Sequence, residues 1–257
     1  MCTLKRFDIT CKIISNKEVC TNYFELKIKA GSIAKYCLPG QFFMIGVPGV
    51  FLRRPISVYD SKKSVLSFLY KVVGKGTGIL SRMRSGQLQI LGPLGKGYDL
   101  EICKDLNYVA VAGGTGIASL HFLAIKLGKN KPYKKKGTLY YGARSKKDLL
   151  CLDKFKEIGW KVVVSTEDGS KGYKGYITDI LEKKVKDSDV LFACGPMPML
   201  KKVVQIAKGK KVKGFASLEE KMACGVGNCQ GCAVNINGAI KMTCKDGPVF
   251  KIEEVNL

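Results

Sequence analysis

Short apolar runs of strand length, parted by turn residues, dominate the first 98 positions: Ile9–Ile14, Val19–Ile28, Gln41–Val47, Pro55–Tyr59, Val65–Val73 and Gln87–Leu91. Within the second run Tyr23, Glu25 and Lys27 alternate with Phe24, Leu26 and Ile28, the period-two pattern of a half-buried strand. Pro39-Gly40, Pro48-Gly49 and Gly92-Pro93 punctuate the runs. Many short strands with turns between them predict an antiparallel barrel or sandwich over residues 1–98.

From 99 to 212 strands and helices alternate. Strands are expected at Tyr108–Ala112, Thr138–Tyr141, Lys161–Ser165 and Val190–Ala193, and helices at Ile117–Leu127, Lys146–Lys156, Tyr176–Lys184 and Met199–Ala207. That rhythm predicts a doubly wound parallel sheet. The last stretch, 213–257, is rich in glycine and cysteine and too small for much of a core, so it is expected to be a module held by a metal. His121 is read as a satisfied helix residue without a role, and Trp160 and Tyr140 as core.

Composition narrows the picture. Hydrophobic residues make up 46% of the 257, which excludes a disordered chain. The net charge is +23, but the lysines are scattered, with short clusters only at Lys134–Lys136, Lys183–Lys184 and Lys208–Lys213. No recognition helix or arginine-rich tail accompanies them, so the charge is read as a solvated surface and no nucleic-acid partner is expected. The charged N-terminus is no secretory signal. Tyr108–Ile125 approaches membrane-spanning length, but Gly113-Gly114-Thr115-Gly116 interrupts it as a strand–turn–helix would, so no membrane association is expected. Eleven cysteines without an export signal point to reduced thiols in the cytoplasm.

Four of those cysteines crowd together as Cys224-x4-Cys229-x2-Cys232-x11-Cys244. A Cys-x4-Cys-x2-Cys run with a distant fourth is plant-type [2Fe-2S] ligand spacing. Gly225, Gly227 and Gly231 free the backbone to wrap such a cluster. Zinc is the alternative, but its sites favour paired Cys-x2-Cys knuckles and only one such pair is present. Upstream, Arg54-Pro55-Ile56-Ser57 opens a barrel strand, where an arginine fork and a hydroxyl suit a diphosphate. Lys71-Val72-Val73-Gly74-Lys75-Gly76-Thr77 resembles a second phosphate- and flavin-contacting stretch, and Gly92-Pro93-Leu94-Gly95 ends the barrel. In the second region Val109–Ala112 runs into Gly113, Gly114, Thr115 and Gly116 and then an apolar helix, which lets a pyrophosphate approach backbone amides. Cys194-Gly195-Pro196-Met197 follows the last strand of the same sheet, at its ligand-facing edge.

In this order the pieces resemble the ferredoxin-reductase superfamily and, within it, the electron-transfer subunits of two-subunit, NAD-linked dihydroorotate dehydrogenases. The resemblance is carried by Leu52–Ser57, Gly74–Thr77, Gly92–Gly95, Cys194–Leu200, Ser217–Gly225 and Cys244–Phe250. It implies an FAD-binding β-barrel (1–98), an NAD-binding α/β domain (99–212) and a [2Fe-2S] module (213–257). It implies FAD contacts at Arg54, Pro55, Ile56, Ser57, Leu69, Tyr70, Lys71, Gly76 and Thr77, and cluster ligation by Cys224, Cys229, Cys232 and Cys244. Ser119 and Ala112 depart from the family's pattern, which often has a proline and a first glycine there.

The resemblance further implies a separate FMN-containing catalytic subunit that oxidises dihydroorotate, joined in a heterotetramer of two copies of each. Electrons would pass through the cluster and FAD to NAD+, serving pyrimidine (UMP) biosynthesis, and no catalytic acid or base is assigned to this chain. A related reductase subunit serving ferredoxin, sulfur or an oxygenase would carry the same cofactors. A basic zinc-bound nucleic-acid-binding module is the alternative from another class. Arg144 and Ser145 suit a 2′-phosphate, whereas the family favours NAD.

Overall fold

A computed structural model describes residues 6–101, 106–129 and 137–257. Cys2, Cys103 and Lys134–Lys136 lie outside the described residues.

The first region closes into an antiparallel barrel of β1 (Phe7–Cys20), β2 (Tyr23–Lys29), β3 (Phe42–Ile45), β4 (Arg54–Lys62), β5 (Val65–Lys71) and β6 (Gln87–Leu94), in the order β1-β2-β5-β4-β3-β6. The expected run Val19–Ile28 is split between β1 and β2. Asn22 adopts a left-handed φ of 65° there, a conformation asparagine tolerates, and its N–H donates to the Glu18 carboxylate at 2.8 Å. The alternation read from sequence holds from Phe24 to Ile28, with Phe24, Leu26 and Ile28 buried and Glu25 and Lys27 half-exposed. Tyr23, expected on the face of Glu25 and Lys27, is itself buried, in the core cluster around residues 108–127. A helix that sequence reading did not anticipate, α1 (Lys75–Arg82), follows β5. Its start is fixed by Thr77, whose hydroxyl accepts from the Val73 and Gly74 amides at 2.9 and 3.2 Å.

The second region is a seven-stranded sheet, completed by two strands of the last region, β12 (Lys213–Ser217) and β15 (Val249–Lys251). Its central strands are β7 (Asn107–Gly113), β8 (Thr138–Ala143), β9 (Lys161–Thr166) and β11 (Asp189–Cys194), and β10 (Tyr173–Lys174) pairs on the outer edge. Helices α2 (Ile117–Lys129), α3 (Leu152–Glu157), α4 (Ile177–Lys184) and α5 (Met197–Gly209) pack on its faces. The expected helix Lys146–Lys156 is cut to a 3-10 turn at Lys146–Asp148 and the short α3. The buried Tyr141 hydroxyl intervenes, lying 3.2 Å from the Asp148 carbonyl and accepting from the Leu150 N–H. Cys151 then takes a left-handed φ of 57°.

Residues 213–257, expected as a module apart, also extend this sheet. Here β12 (Lys213–Ser217) runs parallel to β11, and β15 (Val249–Lys251) closes the edge antiparallel. Between them lie the cysteine loop and the hairpin β13 (Ala233–Ile236)–β14 (Ala239–Met242). Barrel and sheet meet where α2 packs on β4: the His121 ring stacks on Tyr59 at 4.4 Å between centroids, and its Nδ1 lies 3.2 Å from the Tyr59 carbonyl. No helix among the described residues is long and apolar enough to cross a membrane.

Candidate functional site

Two cavities adjoin along the seam between barrel and sheet. The smaller, about 380 Å³, is lined by Arg54, Pro55, Ile56 and Ser57 at the start of β4, by Leu69, Tyr70 and Lys71 at the end of β5, and by Thr77 on α1. Nine residues were expected to touch FAD, and all but Gly76 line this cavity. Gly76 sits behind it: a Cβ there would run into the Arg54 guanidinium, so glycine lets that side chain lie flat against the helix start. Arg54, whose Nη1 donates to the Leu52 carbonyl, thus lies against the start of α1, and an arginine fork beside a helix N-terminus suits a diphosphate. Phe42, Ser217–Glu220, Met222 and Pro248 also line the cavity, as do Val73, Thr115 and Ala118. Most of these missed residues belong to the Ser217–Gly225 and Cys244–Phe250 stretches, so the signal was present; Phe42 offered none.

The larger cavity, about 890 Å³, opens at the carboxyl ends of the sheet strands. Gly113, Gly114, Thr115 and Gly195 line it, along with Tyr23 and Lys71 from the barrel and Arg144, Ser165, Glu167 and Tyr176 from the sheet side. Gly116 and Cys194 lie one layer below, for a Cβ on Gly116 would strike the Cys194 carbonyl. The Cys194 side chain is 2% exposed, and burial raises its pKa far above the usual thiol range. It therefore packs as a neutral structural thiol in this conformation. Gly113 approaches α5 just as closely, a Cβ there falling 2.7 Å from Pro196 and 2.9 Å from the Met199 sulfur. Lys71, Thr115 and Glu219 line both cavities.

The four clustered cysteines fall into two pairs. Cys224 and Cys229 lie on the outer side, half-buried and exposed, whereas Cys232 and Cys244 are 2% and 1% exposed. The Val226 and Cys229 amides donate to the Cys224 sulfur at 3.4 and 3.5 Å, and the Cys244 amide to the Cys232 sulfur at 3.5 Å. Burial pushes the Cys224 thiol up, but the Cys229, Val226 and Asn228 N–H groups outweigh it and hold the pKa at about 6. Cys244 is pushed up to about 12 by burial and by its neighbour Cys232. No three His, Cys, Asp or Glu side chains among the described residues close on one point that would hold a single metal ion. Two thiol pairs suit a binuclear cluster better than one tetrahedral ion, and bound iron supplies the positive charge the buried pair lacks. Beside Cys244, the wholly buried Thr243 keeps a hydroxyl with no hydrogen-bond partner.

The cysteine loop packs on the barrel. Gly225, at a φ of 73°, leaves no room for a Cβ, which would sit 2.6 Å from Met44 Cγ. Phe42, Met44 and Leu94 form one apolar cluster with Cys232 and Cys244. Phe42 and Met222 also line the smaller cavity, so the apolar cluster around the buried cysteine pair forms part of that cavity's wall.

A barrel with a phosphate cradle, a doubly wound sheet with a glycine turn and a cysteine loop between them define a flavin-dependent reductase with an iron–sulfur tail. Family models match the iron–sulfur cluster binding domain of dihydroorotate dehydrogenase B over residues 219–256 and the oxidoreductase NAD-binding domain over residues 110–205. The dihydroorotate dehydrogenase B (NAD(+)) electron transfer subunit of Caldanaerobacter subterraneus subsp. tengcongensis is 39% identical over 256 residues, covering 97% of this chain and 99% of the relative. That of Clostridium perfringens is 43% identical over 218 residues, 84% of this chain and 86% of the relative. The chain belongs to the family of dihydroorotate dehydrogenase B electron transfer subunits. Among solved structures, the NADH-dependent reduced ferredoxin-NADP oxidoreductase, studied for flavin-based electron bifurcation, is similar at a TM-score of 0.85 and 34% identity, over 96% of this chain and 89% of that one. The Amycolatopsis cytochrome P450 reductase GcoB shares the fold at a TM-score of 0.70 and 22% identity, over 81% of this chain and 68% of its own.

Proposed function

We propose that this chain carries electrons from a dihydroorotate-oxidising, FMN-containing subunit to NAD+, serving pyrimidine (UMP) biosynthesis. One observation supports it most: the smaller cavity lies between the other two sites. It shares Lys71, Thr115 and Glu219 with the nucleotide cavity, and its wall residues Phe42 and Met222 pack with the buried cysteine pair. When bound there, FAD exchanges single electrons with the cluster and a hydride with nicotinamide, a combination neither neighbour offers.

In this reading Arg54 and the first turn of α1 hold the flavin diphosphate, and Pro55, Ile56, Ser57, Leu69, Tyr70, Lys71 and Thr77 enclose the rest, with Gly76 as spacer. The turn Gly113–Gly116, with Gly195 opposite, admits the pyrophosphate of NAD(H), and Cys194 supports that turn from below. Cys224, Cys229, Cys232 and Cys244 ligate the [2Fe-2S] cluster. The packing of Cys232 and Cys244 against Phe42 favours that pair as the flavin side. Exposed Cys229 and the exposed Ile240 of the adjacent hairpin favour the outer face as the docking surface. The substrate site belongs to the partner, in a heterotetramer of two copies of each subunit. Every cysteine among the described residues is a free thiol, in keeping with a cytoplasmic setting.

The test is the visible spectrum of the purified chain before and after NADH, with iron and acid-labile sulfide assayed alongside. Flavin and cluster bands, both bleached by NADH, are expected. A colourless protein containing zinc after anaerobic purification defeats the reading. The likeness to the ferredoxin-NADP oxidoreductase favours a second reading, in which the partner is a ferredoxin-linked subunit. Reconstitution with a dihydroorotate-oxidising subunit, scored by dihydroorotate-dependent NADH formation, separates the two, and mass determination of that complex checks the stoichiometry.

A further inference from the structure

We propose that the Thr243 hydroxyl donates a hydrogen bond to the sulfurs of the iron–sulfur cluster and raises its reduction potential; this rests on the cluster ligation read above. Thr243 immediately precedes Cys244. The hairpin pairs Ala233 with Met242, and one step further on the Thr243 N–H donates to the Cys232 carbonyl at 3.0 Å. That step sets Thr243 opposite Cys232, and opposite residues of an antiparallel pair carry their side chains on one face. The chain then turns. The Lys245 and Asp246 N–H groups both donate to the Met242 carbonyl, at 2.9 and 2.7 Å, and the Met242 N–H donates to the Asp246 carboxylate at 2.8 Å. Backbone bonds on both sides therefore hold Thr243 between two of the four cysteines.

The side chain is left without a use inside the protein. Among the described residues two buried hydroxyls have no hydrogen-bond partner, those of Ser165 and Thr243. Ser165 lines the larger cavity, whereas Thr243 lines neither cavity and is 0% exposed. Other buried threonines are engaged: the Thr77 hydroxyl donates to the Gly74 carbonyl at 3.2 Å and that of Thr166 to the Lys171 carbonyl at 3.0 Å. A hydroxyl sealed from water calls for an acceptor, and when the chain supplies none a bound group must. The apolar cluster around Cys232 and Cys244 is built from Phe42, Met44 and Leu94, whose side chains accept nothing of consequence. Cluster sulfur is the acceptor that remains. Reduction adds one negative charge to a cluster, so a donor at its sulfurs favours the reduced state, and apolar surroundings strengthen the effect.

The test is an anaerobic redox titration of the holoprotein, followed by electron paramagnetic resonance of the reduced cluster. Thr243→Val keeps the shape and removes the hydroxyl, and Thr243→Ser keeps the hydroxyl. In Thr243→Val the ratio of reduced to oxidised cluster at a given potential is expected to fall about tenfold, the scale of one hydrogen bond to a charged group. For a one-electron couple that is a downward shift of about 59 mV. Iron content and flavin potential are expected to stay as they are, and Thr243→Ser to titrate near wild type. A fully iron-loaded Thr243→Val with the wild-type potential overturns the proposal, as does an equal shift in Thr243→Ser. If Thr243→Val loses its iron, Thr243→Ala is set against Thr243→Ser, since those two differ only in the hydroxyl. A lowered potential or a lost cluster in the alanine variant alone supports the proposal, and like behaviour of the two overturns it. Wild-type protein without iron and acid-labile sulfide defeats the cluster reading itself, and the role of Thr243 with it.

Discussion

Along β2 and β5 the barrel buries side chains at close intervals, whereas residues 218–232 of the cysteine loop contain no strand or helix. The barrel core, with Leu26, Ile28, Phe43, Val58 and Phe68 at 0% exposure, is built mainly from its own strands, with Leu80 of α1 and Phe122 of α2 packed into it. The loop has no such store. Its buried members are Leu218, Gly225 and Cys232, and the apolar surface it rests on, Met44 and Leu94, belongs to the barrel. Side-chain burial determines the first region. N–H groups aimed at sulfur and glycines at positive φ determine the second, and a loop built that way takes its stability from the cluster its thiolates bind.

Strand β3 shows both regimes within four residues, because its side chains alternate in direction. Phe43 and Ile45 point into the barrel core, and Phe42 and Met44 out to the cysteine loop. The sharpest way to break the comparison is Cys244→Ser. It is expected to abolish cluster iron and to open residues 218–232 to protease, while NADH still bleaches the flavin. Iron analysis with limited proteolysis reads this, and a loop that stays protected without iron would show that it folds by its own packing. Phe43→Ala comes next. It empties a fully buried site that meets Phe68 edge-on at 5.7 Å, and is expected to lower global stability by about 3–5 kcal/mol in denaturant melts. Flavin retention should fall with it.

Gly225→Ala probes the contact between the two regions. The new Cβ must clear Met44 from a φ of 73°, so a cost of about 1–3 kcal/mol is expected, seen as faster cleavage of the loop. In a Met44→Ala background the steric part of that cost should vanish and the backbone part remain, so a double-mutant cycle measures each.

What the sequence made legible follows the same division. Alternation in β2 from Phe24 to Ile28, the strand–glycine turn–helix at Val109–Leu127 and the spacing of Cys224 to Cys244 are local patterns, and each appears where it was read. The broken helix at Lys146–Lys156 was not legible, because the hydroxyl of Tyr141, on the preceding strand β8, competes for its backbone groups. Nor was the place of β12 and β15 in the sheet, since pairing of a late strand onto β11 is a long-range event with no local signature. Eight of the nine expected flavin-contacting residues line one cavity, yet the wall from the C-terminal segment came from side chains far away in sequence. Gly76 and Gly116 were also read as ligand residues; neither lines its cavity, and each makes room for a neighbour, Gly76 for the Arg54 guanidinium and Gly116 for the Cys194 carbonyl.

The smallest expected effect asks whether the barrel is as self-sufficient as its core suggests, for it also leans on α2 through His121. That ring is 5% exposed between Tyr59 and Phe155, and burial lowers its pKa below the ordinary 6.5, partly offset by the Tyr59 carbonyl. Below pH 6.5 the unfolded chain therefore takes up a proton that the folded chain resists. The stability tied to a neutral His121 is fully present above that pH and is lost as the pH falls toward the depressed folded value. His121→Phe keeps a ring against Tyr59 and removes the titration, so its melting temperature should fall less between neutral pH and mild acid than that of wild type. Loop proteolysis should show no such difference between the two proteins. If the loop loosens with the same pH dependence, and His121→Phe cures it, barrel, sheet and cysteine loop unfold as one cooperative unit and the division drawn between them fails.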